Sequence, residues 1–133
     1  GIMDCRKALR QTQGDFNKAK KCLKEKSIAI ADKKKNRETK AGLIKAYIHN
    51  GSLIGSIIKL SCETDFVAQT KEFKQLAHEL AMQIAAMNPK DVKELLKQEY
   101  IRDSKKKIKD LIKETIGKTG ENIKVEKIMR MEI

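Results

Sequence analysis

Apolar residues recur at helical spacing along two short stretches at the start of the chain. The first stretch covers residues 3–12 and stops at Gln13-Gly14, a pair that favours a turn. Asp15 is a suitable N-cap for a second helix, whose apolar face would be Phe16, Ala19 and Leu23. Two helices of this size bury little apolar surface. Residues 1–32 therefore predict a small N-terminal helical module that a partner or a further helix must complete.

A run of basic residues follows at 33–40. Charge runs of this kind are typical of solvated connections, so we interpret 33–40 as a linker. Contact of Lys33–Lys35 with a polyanion is the alternative interpretation.

Beyond the linker the hydrophobic period changes from that of a helix to that of a strand. Two β-branched segments, residues 43–49 and 53–62, flank Asn50-Gly51, which predicts an antiparallel hairpin. Residues 122–133 alternate in the same way and predict a third strand, whose inward side chains would be Ile123, Val125, Met129, Met131 and Ile133.

A long helix is predicted between these strands by an unbroken apolar stripe, made of Phe73, Leu76, Ala77, Leu80, Ala81, Ile84 and Ala85. Ser104 is expected to cap a further helix, with Ile108, Leu111, Ile112, Thr115 and Ile116 on one side. This order of elements predicts an α+β fold. Residues 41–133 would form a core domain, a three-stranded antiparallel sheet with helices on one face.

Composition narrows the functional classes. Thirty Lys and Arg against 18 Asp and Glu give a formal charge of +12, which favours an anionic partner of some kind. Aromatic residues make up only 4% of the chain, so a base-stacking surface has few candidates. No apolar run approaches the roughly 18 residues of a membrane span, and we expect a soluble protein without membrane contact.

Candidate catalytic residues are scarce. His49 and His78 are the only histidines, and no Ser-His-Asp set or phosphate-binding glycine loop occurs. The three cysteines are widely spaced and form no metal-binding pattern. We therefore expect no enzyme activity, no cofactor and no metal site.

The junction between the second strand and the next helix is the unusual segment. Thr64 or Asp65 could serve as the N-cap of that helix. Phe66, next to Val67, has two interpretations that the spacing leaves open. It is either core material or an exposed aromatic anchor for a partner's groove.

Four segments match, in order, the motifs of one family: residues 1–9 (GIMDCRKAL), Gly14-Asp15, residues 62–68 (CETDFVA) and residues 120–123 (GENI). With these motifs the chain closely resembles elongation factor Ts, and TDFVA after a hairpin is specific to that family. The resemblance implies a guanine-nucleotide exchange factor of elongation factor Tu, acting in the bacterial cytoplasm or an organelle matrix or stroma.

The resemblance also implies residue roles. Phe66 would wedge between helices of the GTPase near its magnesium and phosphate site, Asp65 would hydrogen-bond beside it, and Thr64 and Val67 would adjoin them. The N-terminal module would be ubiquitin-associated-like and would contact the partner through Ile2 and Met3. Like the short members of the family, the chain would form a homodimer through its core sheet.

Two departures from the family are evident. The family has a helix before the segment that matches Gly1, so we expect the module's first helix to be missing. Family members also have a longer middle, whereas here Tyr100 runs directly on to Ile101. The alternative function is a basic RNA- or ribosome-binding module that contacts phosphates through Lys33–Lys35 and Lys105–Lys107. Because it leaves TDFVA unexplained, we do not expect direct nucleic-acid binding.

Overall fold

The computed structural model describes residues 2–133; Gly1 and the side chain of Ile2 lie outside the description. The elements follow in the order α1 (Ile2–Gln11), α2 (Phe16–Lys34), β1 (Ala41–Ile48), β2 (Ile54–Cys62), α3 (Asp65–Ala68), α4 (Lys71–Met87), α5 (Val92–Lys97), β3 (Glu99–Tyr100), β4 (Asp103–Lys107), α6 (Ile108–Thr119) and β5 (Ile123–Glu132).

The main sheet confirms the predicted α+β fold. Its strands lie in the order β1-β2-β5, and both pairs are antiparallel. Helix α4 packs on one face, where the inward side chains of β2 meet the apolar stripe of α4. The fully buried residues of this core include Ile58, Leu60, Phe73, Leu80 and Ile84.

The hairpin between β1 and β2 also forms, with a wider turn than Asn50-Gly51 predicts. Positive φ angles fall at Gly51 (89°) and Ser52 (60°), and the His49 backbone N–H donates to the Ile54 carbonyl at 2.9 Å. Ser52 occupies the small left-handed region open to L-residues, and its backbone N–H donates to the His49 carbonyl at 2.9 Å, which closes the turn.

The predicted alternation along β5 is wrong beyond Glu126. A bulge there leaves Val125 opposite Leu60 and Ile128 opposite Ile58, so one extra residue interrupts the register. The facing of every later side chain is reversed as a consequence. Met129, Met131 and Ile133 are exposed, whereas Arg130 turns inward and its Nε donates to the Ala85 carbonyl of α4 at 3.0 Å.

A second, two-stranded sheet was not expected from the sequence. Ser104, predicted as a helix cap, lies within β4, and α6 begins only at Ile108. The hairpin is held by the fully buried side chain of Gln83 on α4. Its Nε2 donates to the Glu99 carbonyl and its Oε1 accepts from the Ile101 backbone N–H, both at 3.0 Å.

Helix α2 connects the N-terminal part to the core. Asp15 caps it as predicted, accepting from the Lys18 backbone N–H at 3.0 Å, and α1 packs on its first half. The helix continues through Lys34, into the segment that the sequence predicts as a linker. Its second half packs on α6, and the Lys34 ammonium group donates to the Gly120 carbonyl. The division into a module, a linker and a core stays a prediction.

Candidate functional site

Helix α3 is a single turn at the edge of the core, and local hydrogen bonds define both of its ends. Thr64 is its N-cap, in extended conformation, and its Oγ1 accepts from the Val67 backbone N–H at 3.3 Å. At the other end the Thr70 hydroxyl donates to the Val67 carbonyl at 2.6 Å and accepts from the Phe73 backbone N–H. The turn is thus fixed to the start of α4.

The turn buries Val67 and exposes Phe66, the residue for which the sequence leaves both a core and a displayed position open. Val67 and Ala68 are buried in the core cluster. Phe66 is 82% exposed, and Asp65 beside it is exposed as well. Successive residues of a helix point about 100° apart, so a turn that buries its third and fourth residues directs the second outward. Phe66 is therefore a displayed side chain rather than core material.

Glu121 holds Thr64 from a distant part of the chain. One carboxylate oxygen accepts from the Thr64 backbone N–H at 2.9 Å, and the other accepts from the Thr64 hydroxyl at 2.7 Å. Hydrogen bonds to a charged acceptor are stronger than neutral ones. The carboxylate satisfies the N-cap residue itself and fixes the entry into α3.

A second carboxylate also links these two segments: here Glu63, next to Thr64, binds Asn122, next to Glu121. Glu63 accepts from the Asn122 backbone N–H at 2.6 Å and lies 3.4 Å from the Arg37 guanidinium. The Asn122 side-chain amide donates to the Arg37 carbonyl at 2.8 Å and to that of Lys35 at 3.3 Å. The segment 35–37 is thereby tied to the site.

These contacts bring together two of the motifs noted in the sequence, CETDFVA and GENI, which are 57 residues apart at Thr64 and Glu121. The roles of Glu63, Glu121 and Asn122 were missed from the sequence. Helical or strand periodicity carries no signal for such a pairing, and only the adjacency of β2 and β5 creates it.

The thiol at the end of β2 contributes to the core and not to chemistry. Burial, followed by the nearby charge of Glu121, raises the pKa of Cys62. Its Sγ lies 3.2 Å from the Thr64 carbonyl, as a donor. A neutral, buried thiol is a poor nucleophile.

Within residues 2–133, no group of three or more potential ligands could hold a metal ion, and none of the helices there is long and apolar enough to span a membrane.

The residues of the N-terminal module lie on a separate element. Met3 is on α1 and is 73% exposed. The side chain of Ile2, predicted to act with Met3, lies outside the described residues. Because α1 makes its main contacts with α2, Met3 and Phe66 belong to different supports.

Comparison with known proteins agrees with this arrangement. A family model described as Elongation factor TS matches residues 63–133, which include α3 and Glu121. Elongation factor Ts of Thermotoga neapolitana is 40% identical over 176 positions, covering 100% of this chain and 89% of the relative. The protein of the same name from Thermotoga maritima is 42% identical, covering 100% and 88%, and that from Thermoanaerobacter pseudethanolicus is 41% identical, covering 99% and 87%. The chain belongs to the elongation factor Ts family.

The chain is shorter than these members of the family. The alignment with the Thermotoga neapolitana protein takes in all 133 residues over 176 positions, which leaves 43 positions of the relative without a counterpart. Tyr100 and Ile101, where the sequence predicts a shortened middle, lie at the turn between β3 and β4.

Proposed function

We propose that this protein is a guanine-nucleotide exchange factor that accelerates GDP release from elongation factor Tu. Membership of the elongation factor Ts family supports the partner. The observation that carries the proposal is the exposure of Phe66 on a turn that Val67 and Ala68 bury in the core and that hydrogen bonds fix at both ends. An exposed aromatic side chain on a rigid support is suited to occupy a groove in another protein.

The mechanism requires binding and no bond chemistry. Phe66 inserts between helices of the GTPase, and Asp65 hydrogen-bonds beside it. This displaces the elements that hold magnesium and phosphate, so that exchange factor and GDP each weaken the other's binding. Full burial of a phenylalanine stabilises a complex by about 1.5–3 kcal/mol, which corresponds to a factor of roughly 10 to 150 in affinity.

The contacts around α3 make this insertion efficient. Thr64 is held by Glu121, and Val67 anchors the turn in the core. A side chain presented on a fixed backbone loses little conformational freedom on binding, so more of its burial energy contributes to affinity. Glu121 acts in this scheme as a positioning residue.

The remaining parts of the chain have supporting roles in the proposal. Residues 1–32 form a docking module that contacts the GTPase through Ile2 and Met3, residues 33–40 connect it, and residues 41–133 form the exchange core. The exposed face of the sheet, which carries Ile44, Ile48, Ile57, Met129 and Met131, packs on the same face of a second copy. Contiguous apolar surface of this kind is uncommon on monomeric proteins.

Release of fluorescently labelled GDP from elongation factor Tu, followed by stopped flow, tests the function. We expect the protein to accelerate release and the Phe66→Ala variant to lower the exchange rate at least tenfold. Ile101→Ala is the control, because Ile101 is an exposed apolar residue in the turn between β3 and β4. The free energy of unfolding of both variants should lie within about 0.5 kcal/mol of the wild-type value, since exposed positions contribute little to stability.

Two results would contradict the proposal at different levels. No acceleration by the wild-type protein excludes the exchange function. Acceleration that Phe66→Ala leaves unchanged excludes the insertion mechanism and leaves exchange to another surface.

A further inference from the structure

A basic groove lies between β1 and the start of α4, next to α3. Its volume is about 440 Å³, and the side chains that line it are Lys45, Gln69, Lys71, Lys74, Gln75 and His78. No carboxylate is among these lining residues. The groove therefore concentrates positive charge at one place on the surface.

The three ammonium groups of the groove have no ion-pair partner within the described part of the chain. Among residues 2–133, neither Lys45, Lys71 nor Lys74 forms an ion pair or a hydrogen bond through its side chain. Glu79 accepts a hydrogen bond from the neutral Gln75 amide in the groove at 3.2 Å, and not from its lysines.

This arrangement of charge does not stabilise the fold. Lys45 lies in the helix-facing row of β1, where its neighbours Leu43 and Tyr47 pack against the core. Lys71 and Lys74 lie in the first turn of α4, where cations are unfavourable by a few tenths of a kcal/mol to about 1 kcal/mol. The lysines of the groove repel each other as well. A bound anionic group would reverse both effects.

We propose that this groove binds an acidic segment of the same protein that receives Phe66, which under the proposed function is elongation factor Tu. Gln69, which lines the groove, is the C-cap of α3 and follows Phe66 by three residues. Three residues span at most about 10 Å of chain. A protein that covers Phe66 therefore reaches the groove, and carboxylates at that place would pair with its lysines.

The surroundings favour a protein over a nucleic acid as the occupant. Three carboxylates lie at the start of α3: Glu63 and Asp65 precede Phe66 in the chain, and Glu121 binds Thr64. They would repel a continuous phosphate backbone, whereas a folded protein can present carboxylates to the groove and donors to α3. The ring of Tyr47 packs edge-on against His78, with centroids 5.9 Å apart, and is not displayed for base stacking.

The test is the association rate of elongation factor Tu with two charge-reversed variants of the full chain. Lys71→Glu/Lys74→Glu changes the groove. Lys90→Glu/Lys93→Glu is the matched control, beyond the other end of the 17-residue helix α4 and so roughly 25 Å away. Each pair lowers the formal charge from +12 to +8. Glutamate in the first turn of a helix is favourable, so the groove variant should fold.

Association is measured by fluorescence polarisation of labelled elongation factor Tu, independently of GDP release, at several salt concentrations. We expect the groove variant to associate about tenfold or more slowly than the control at low salt, with the difference shrinking as salt rises. Equal slowing of both variants overturns the proposal, because net charge alone would then explain the rate.

Two further outcomes are decisive. If the groove variant loses affinity for a labelled single-stranded RNA and associates with the GTPase like the control, the groove is an RNA site and the proposal is wrong. If the wild type associates through the groove without accelerating GDP release, the exchange function fails and the groove proposal stands. Absence of any association with the GTPase overturns both.

Discussion

Gly117→Ala tests the contact between α2 and α6, which joins the N-terminal helices to the core. Gly117 is inside α6, where alanine is intrinsically more favourable than glycine by about 0.8–1 kcal/mol. On propensity alone the substitution would stabilise the protein. The tertiary structure predicts the opposite result.

The added Cβ would lie 2.4 Å from the Cβ and Oγ of Ser27 and 2.6 Å from its Cα. Non-bonded carbon atoms prefer separations of about 3.5–4.0 Å, so the helices would have to move apart by roughly 1 Å. No rotamer change relieves a contact with Cα and Cβ. Overpacking of this kind costs about 1–3 kcal/mol, and subtracting the gain in helix propensity leaves about 0–2 kcal/mol. Because the contacts with Cα and Cβ cannot be relieved by rotation, we expect the upper part of this range, a net destabilisation of about 1–2 kcal/mol.

Urea unfolding followed by circular dichroism measures this difference. Lys118→Ala, at an exposed neighbouring position of the same helix, is the control and should change the stability by less than about 0.5 kcal/mol. Adding Ser27→Gly removes Cβ and Oγ and leaves Cα, so it should restore only part of the loss. A Gly117→Ala variant as stable as the wild type or more stable would refute the close packing of α2 on α6.

Two further predictions concern the exposed sheet face and a buried tyrosine. Met131→Glu places a charge on that exposed face without disturbing the core, and we expect sedimentation velocity to show a shift from dimer to monomer; a wild type that sediments as a monomer would contradict the proposed homodimer. Burial, together with the negative charge of Glu79, raises the pKa of Tyr100 from 10.0 to about 12. Because the folded state retains this proton more strongly than the unfolded state, the corresponding stability is fully present below pH 10 and is lost as the pH rises from about 10 to 12. Ultraviolet titration of a Tyr47→Phe variant, in which Tyr100 is the one remaining tyrosine, should give a midpoint near 12, and a midpoint near 10 would show that the side chain is not held as described.

Local patterns in the sequence were enough to predict those helices, caps and turns that depend on residues close together in the chain. The apolar stripe of α4, the cap at Asp15 and the hairpin at Asn50-Gly51 each depend on residues within a few positions of one another. The family motifs could likewise be read directly, because CETDFVA and GENI are contiguous in the chain. The α+β fold follows from the order of these elements.

The tertiary structure decided the facing of the β5 side chains and the β3–β4 hairpin, because both depend on residues distant in the chain. One extra residue at Glu126 reverses the facing of Met129 and Met131, and so creates the exposed face of the sheet, because strand register is set by pairing across the sheet. The β3–β4 hairpin exists because Gln83 satisfies its backbone, and its own residues carry no strand pattern.

The site shows the same division most clearly. The sequence placed Phe66 at a junction and left two interpretations, since core and displayed aromatic residues have the same spacing. Burial of Val67 and Ala68 on a single helical turn directs Phe66 outward, and Glu121 fixes that turn across 57 residues of chain. No local signal encodes a contact of that separation, because it arises only when β2 and β5 lie side by side.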